Sequence, residues 1–119
     1  MKKHQALAAL AALAQDNRLD VFRLLVEAGP DGMPAGKVAD ALKLAPNTLT
    51  FHFDRLRDAG LVTVRRDGRS MIYAARYETM NGLLGYLTEN CCRGRADQCI
   101  PTERVRTSVA AARRKEPVV

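Results

Sequence analysis

Three cysteines, Cys91, Cys92 and Cys99, are the side chains of this sequence best equipped for chemistry, and they fall close together near its end. An odd count argues against a disulfide framework, and a bond between the adjacent Cys91 and Cys92 would be strained. The stretch Arg93–Gln98 is long enough to fold Cys99 back onto the pair, since extended chain covers about 3.3–3.6 Å per residue. Arg93 and Arg95 favour thiolate over thiol. Three converging thiolates suit a soft trivalent centre, As(III) or Sb(III), which binds three sulfurs in a pyramid and points its lone pair in the fourth direction. Zinc asks for four ligands in a tetrahedron, and Asp97 is the only local carboxylate to complete one. The plainer reading is one buried cysteine and two incidental exposed ones.

A second group of residues suits contact with a polyanion. Asn47, Thr48, Thr50, Phe51 and His52, with Arg55 one turn later, lie beside an apolar stripe of Leu49, Phe53 and Leu56 at helical spacing. Short hydrogen-bonding groups at a helix start can meet base edges or phosphate. Asn47 is equally suited to a local cap. Thr50 is equally suited to a solvent-facing hydroxyl. His52 reads as a backbone contact or a packed ring, and Phe51 as a ring packed beneath the next element. Arg65, Arg66 and Arg69 surround Asp67-Gly68. Guanidinium groups so close repel one another unless an anion, such as phosphate, sits between them.

The elements that must position these groups follow from periodicity. Leu7, Leu10 and Ala14 form a first stripe, and Leu19, Phe22, Leu25 and Val26 a second that ends at Gly29-Pro30. A helix over Pro34–Leu44, with Val38 and Leu42 on one face, precedes another over Pro46–Ala59, and Gly60 suits the cap that ends it. Leu61–Arg66 and Met71–Ala75 are short and rich in β-branched and aromatic residues, with Asp67-Gly68 as hairpin signal. Helical spacing returns at Tyr77, Met80, Leu84, Leu87 and Cys91. Two short helices followed at once by a hairpin form a winged helix-turn-helix pattern, so the fold class is mainly α with a β-hairpin wing.

Composition bounds the rest. The chain has 119 residues and a net charge of +6. Residues 1–92 carry 12 basic and 10 acidic side chains, and residues 93–119 carry 7 and 3. The expected organisation is a DNA-binding and dimerisation domain over 1–92 and a basic tail over 93–119. That tail would complete the cysteine site, while its last twenty residues taken alone read more simply as a solubilising segment. The apolar run Ala6–Ala14 falls far short of the roughly 20 residues that span a bilayer, and no secretory cleavage pattern follows it, so a cytoplasmic protein without membrane contact is expected.

The sequence resembles the ArsR/SmtB family of winged-helix metalloregulatory repressors from about Leu10 to Cys99. The resemblance rests on Asn17-Arg18-Leu19, on Leu44-Ala45-Pro46-Asn47-Thr48-Leu49-Thr50-Phe51-His52-Phe53, on Leu56-Arg57-Asp58-Ala59-Gly60-Leu61-Val62, and on Arg65-Arg66-Asp67-Gly68-Arg69 before Tyr73. Glu89-Asn90-Cys91-Cys92 with Cys99 is similar to the arsenite-responsive members whose thiols lie at the end of the last helix. The resemblance implies a homodimer through the first and last helices that represses an arsenic-resistance operon until arsenite binds. The dimerising side chains are expected to be Leu7, Leu10, Tyr77, Met80, Leu84 and Leu87. A symmetric dimer implies a palindromic operator on double-stranded DNA. The inducer would be As(III), with Sb(III) as alternative, and no organic cofactor is called for. Another arsenite-sensing branch carries cysteines on the first helix of the pair, and Gly32–Leu44 has none. The zinc-sensing branch uses acids and histidines on the last helix, where Tyr77–Asn90 offers only Glu78 and Glu89.

Other functions remain open at this level. Cys91 or Cys92 could pair with Cys99 on oxidation, which would make a thiol redox sensor. A thiol-based arsenic-handling enzyme would need an anion cradle after its nucleophile, and no cysteine-loop-arginine pattern of that type is present, so no catalytic residue is assigned. A protein-interaction module working through the basic tail is a third class.

Overall fold

Proline and glycine mark many of the element boundaries along residues 1–91, which are the residues described by the computed structural model. The order is α1 (Lys3–Leu13), α2 (Asp16–Ala28), β1 (Met33–Pro34), α3 (Ala35–Leu42), α4 (Pro46–Asp58), β2 (Val62–Asp67), β3 (Ser70–Ala75) and α5 (Tyr77–Leu87). All lie in one unit, Met1–Leu87; a second unit begins at Thr88, and only Thr88–Cys91 of it is described. No helix among the described residues is long and apolar enough to cross a membrane.

The expected wing is present, with one added strand. β2 and β3 pair antiparallel from Val62 opposite Ala75 to Asp67 opposite Ser70, which leaves Gly68 and Arg69 as the loop. Gly68 has φ of 62° while Arg69 stays at negative φ, the pattern of a type II′ turn that matches the twist of the strands. Met33 and Pro34 pair with Tyr73 and Ile72, so the sheet order is β1-β3-β2. Two residues are too few to show an alternating pattern. Pro34, expected inside the first turn of a helix, instead caps α3 from an edge strand, where its missing N–H is tolerated. Gly32 makes the entry possible: its φ is 76°, and a Cβ there would collide with the Tyr73 carbonyl.

The core is built from Val21, Phe22 and Leu25 of α2, Val38 of α3, and Leu49, Phe53 and Leu56 of α4, closed by Leu61, Val62 and Tyr73. Phe53 stacks face to face on Tyr73, with ring centroids 3.6 Å apart and planes within 2°, which fastens α4 to the sheet. α4 ends in a Schellman motif: Leu61 N–H donates to the Leu56 carbonyl at 2.9 Å and Gly60 N–H to the Arg57 carbonyl at 2.9 Å. Gly60, at φ of 76°, is the residue that permits this turn.

The outer helices differ from expectation in which side chains they hide. α1 buries Ala6, Ala9 and Ala12, while Leu7 and Leu10 are 57% and 40% exposed. The in-chain face of α1 is therefore its alanine stripe. α5 buries Leu83, and Leu84 and Leu87 are 55% and 56% exposed. Tyr77 and Met80 pack partly buried against their own core, and the Tyr77 hydroxyl donates to the Val26 carbonyl at 3.0 Å. Of six side chains expected to meet a second chain, four stand outward and two fasten α5 to its own fold. Cys91, expected to continue the α5 stripe, lies beyond the end of that helix. The chain leaves helical geometry after Leu87 and turns at Asn90, which adopts left-handed φ of 57°.

Candidate nucleic-acid interface

α3 and α4 are joined by Lys43–Ala45, and Lys43 takes the left-handed conformation that lets the chain turn so tightly (φ 56°, ψ 45°). α4 then starts with Pro46 in its first position and Ala45 as N-cap, and no side chain caps it. Asn47 is thus not a cap; it lies exposed inside the first turn, next to exposed Thr48 and Thr50. The Thr50 hydroxyl donates back to the Pro46 carbonyl at 3.0 Å, which orients its remaining lone pairs. An uncapped helix start carries partial positive charge and free N–H groups, suited to a phosphate.

The outward face holds two residues that sequence reasoning missed. Asp54 and Arg57 are both about half exposed and pair at 3.7 Å. They sit seven residues beyond Asn47 and Thr50, two helical turns along the same stripe. That i, i+7 relation, with opposite charges at i, i+3, was the available signal. A pair this exposed contributes about 0.2–1 kcal/mol at most, so it sets the charge of the face more than its stability.

Phe51 and Arg55 occupy the flank of α4 toward α1. Phe51 is 51% exposed, and the Arg55 guanidinium lies over its ring, 5.0 Å from the centroid. Both line a cleft of about 500 Å³ with Ala8, Ala12, Arg18 and Ala59. Phe51 therefore does not pack beneath the wing.

His52 takes the packed place of its two expected roles, and so leaves the set of direct contacts. It is 5% exposed, because it shares the inward stripe with Leu49, Phe53 and Leu56. Neither ring nitrogen has a hydrogen-bond partner among the described residues. Burial, and secondarily the Arg18 guanidinium, hold the ring below the ordinary histidine value of 6.5.

The three wing arginines do not act together. Both terminal nitrogens of Arg65 donate to the Asp31 carbonyl, at 3.3 and 3.2 Å, and so tie the wing to the turn before β1. Arg66 donates through Nε to the Gly68 carbonyl at 3.3 Å. Arg69, in the loop itself, is exposed. Arg66 and Arg69 thus remain at the tip, while Arg65 has become a brace.

Of the cysteines, Cys91 is half-buried, and its N–H donates to the Thr88 carbonyl at 3.0 Å. Cys92, Cys99 and the basic tail lie outside the described residues. Among the described residues no three His, Cys, Asp or Glu side chains gather into a group that could hold a metal ion.

An uncapped helix with short polar side chains, carried on a helix pair and flanked by a hairpin with arginines at its tip, has the parts needed to enter a major groove and touch the neighbouring backbone. Residues 13–65 match a family described as a helix-turn-helix domain. The chain is 30% identical over 88 residues to the HTH-type transcriptional regulator YgaV of Escherichia coli, covering 74% of this chain and 87% of that protein. In fold it is similar to an ArsR-like transcriptional regulator from Rhodococcus, with a TM-score of 0.64 at 20% identity over 93% of this chain and 92% of the other. It is also similar to Mb0332 from Mycobacterium bovis, a homodimeric winged helix-turn-helix DNA-binding domain, with a TM-score of 0.59 at 21% identity over 78% of this chain and 86% of the other. The chain belongs to the helix-turn-helix transcriptional regulators, DNA-binding proteins rather than enzymes, and its fold is the winged-helix one that the ArsR-like structures share.

Proposed function

We propose that this regulator is a homodimeric repressor of an arsenic-resistance operon that leaves its palindromic operator when As(III) binds the thiolates of Cys91, Cys92 and Cys99. The DNA half of the reading is carried by the outward polar start of α4, uncapped and built from Asn47, Thr48 and Thr50, with Arg66 and Arg69 on the adjoining wing. The inducer half is carried by the sequence: every cysteine of the chain falls between residues 91 and 99, beyond the end of α5 at Leu87. Three soft donors without a fourth suit a trivalent metalloid better than zinc. Exposed Leu7, Leu10, Leu84 and Leu87 supply the apolar surface for a second copy, in keeping with the homodimeric Mb0332. The coupling required is small: 1–3 kcal/mol between the two sites changes DNA affinity by about 5–150-fold.

The test is a binding titration on the chain's own promoter with arsenite, zinc and peroxide in separate samples. Arsenite is expected to lower affinity within that range for the wild type and to have little effect on Cys99→Ser, which keeps full affinity without inducer. Equal arsenite release by Cys99→Ser would remove the three-sulfur site. Release by peroxide with arsenite inert would make the cysteines an oxidation sensor instead.

A further inference from the structure

Only two histidines occur in the chain, His4 and His52. His52 is the single polar side chain among the buried described residues, and it sits in the middle of the helix that meets DNA. A neutral imidazole has one N–H to donate and one lone pair to accept; a protonated one has two N–H groups and a charge. Neither nitrogen has a partner among the described residues, so a second proton would leave a buried cation with no acceptor among them. Burial favours release of such a proton, and one neighbour adds to the effect. Arg18 of α2 presents its charge to the ring, held in place by its Nε donating to the Ala12 carbonyl at 2.6 Å. Among the described residues, the other elements packed against α4 add no charge that acts on the ring: neither Lys3 and His4 of α1, nor Lys37 and Asp40 of α3, nor Arg65 and Arg66 of β2 contributes. Among the described residues, no carboxylate acts on the ring to stabilise the charged form.

The ring shares its stripe with Leu49, Phe53 and Leu56, the side chains that seat α4 on α2 and the sheet. A charged ring cannot stay in that stripe unpaired; it must move toward water. A ring that leaves the stripe opens the packing that seats α4, and the helix shifts with it. We propose that His52 is a proton-operated latch beneath the DNA-contacting helix: a second proton on its ring unseats α4 from the core and releases the DNA on acidification. The latch rests on α4 being the helix that contacts DNA, and it acts independently of the cysteines. Reciprocity follows, because DNA that requires the seated helix must in turn make protonation of His52 harder.

The experiment measures affinity of the full chain for its own promoter duplex between about pH 7.5 and about pH 5.5 at constant ionic strength, the range in which histidine titrates. The wild type is expected to lose about tenfold in affinity for each pKa unit separating the bound and free states. His52→Gln, which is neutral throughout, is expected to lose none of it, while His4→Gln behaves as wild type. Equal loss in wild type and His52→Gln overturns the latch, as does a wild-type affinity that is flat with pH. Absence of binding at every pH overturns the DNA reading along with the latch. If His52→Gln fails to fold, the imidazole signals of the wild type decide. The His52 titration moving to lower pH on saturation with the duplex, with α4 amides shifting in step, supports the latch. A His52 titration unchanged by DNA, or unaccompanied by α4, overturns it.

Discussion

α4 and α1 both pack against α2 and against each other, yet they hide opposite kinds of side chain. α4 puts Leu49, Phe53 and Leu56 inside and leaves short polar groups outside. α1 puts Ala6, Ala9 and Ala12 inside and leaves Leu7 and Leu10 outside. Large side chains stabilise by burial, about 1.5–3 kcal/mol for each Leu or Phe fully removed from water, so α4 is held chiefly by its own domain. Alanine has little area to bury. The larger apolar area of α1 faces away from the domain, where only another surface can cover it. One helix is specified by the core it belongs to, while the other leaves its larger side chains outside that core.

That contrast can be broken, beginning with the largest effect. Phe53→Ala removes the ring stacked on Tyr73 and should cost about 3–5 kcal/mol in denaturant unfolding; a cost below 1 kcal/mol would mean that α4 is not held by this stack. The converse change in α1 is Ala9→Leu, at a position with no exposed surface. Overpacking there should cost about 1–3 kcal/mol, although the substitution adds apolar area. Leu7→Ser with Leu10→Ser should leave the helical circular dichroism intact. It should also raise the dimer dissociation constant by tenfold or more, since each leucine loses about 1.5 kcal/mol or more of burial. Sedimentation that shows an unchanged dimer would take α1 out of the interface.

Two smaller effects sharpen the picture of α4 and its wing. The folded-state pKa of His52 lies below the unfolded value near 6.5, so below that pH the unfolded chain binds more protons. Stability should be fully present above about pH 6.5 and fall as the solution is acidified below it. His52→Gln should flatten that part of the curve, measured by thermal unfolding across the window. At the wing, Arg69→Ala should leave stability within about 0.5 kcal/mol and lower the slope of log affinity against log salt by about 1. Arg65→Ala should act on stability instead, because its guanidinium braces the turn at Asp31.

Much of this molecule was legible in order and period. The helix pair, the stop at Gly60, the hairpin and the polar start of α4 each leave a local mark: a proline at a helix start, a glycine at positive φ, spacing of three and four. The roles of Arg65, Phe51 and His52 left none. A guanidinium at a hairpin looks the same whether it will meet phosphate or a carbonyl 34 residues back in the chain, and a histidine on the edge of an apolar stripe looks the same exposed or buried.

Local spacing in the chain settled which segments are helix and which are strand, because backbone hydrogen bonding and side-chain period act over a few residues. Only the packed molecule decided which face of each helix turned inward. In α1 two rival stripes, alanine and leucine, run side by side, and the choice between them depends on how closely α2 and α4 approach. That distance is a property of the assembled core, so no stretch of α1 considered alone contains it.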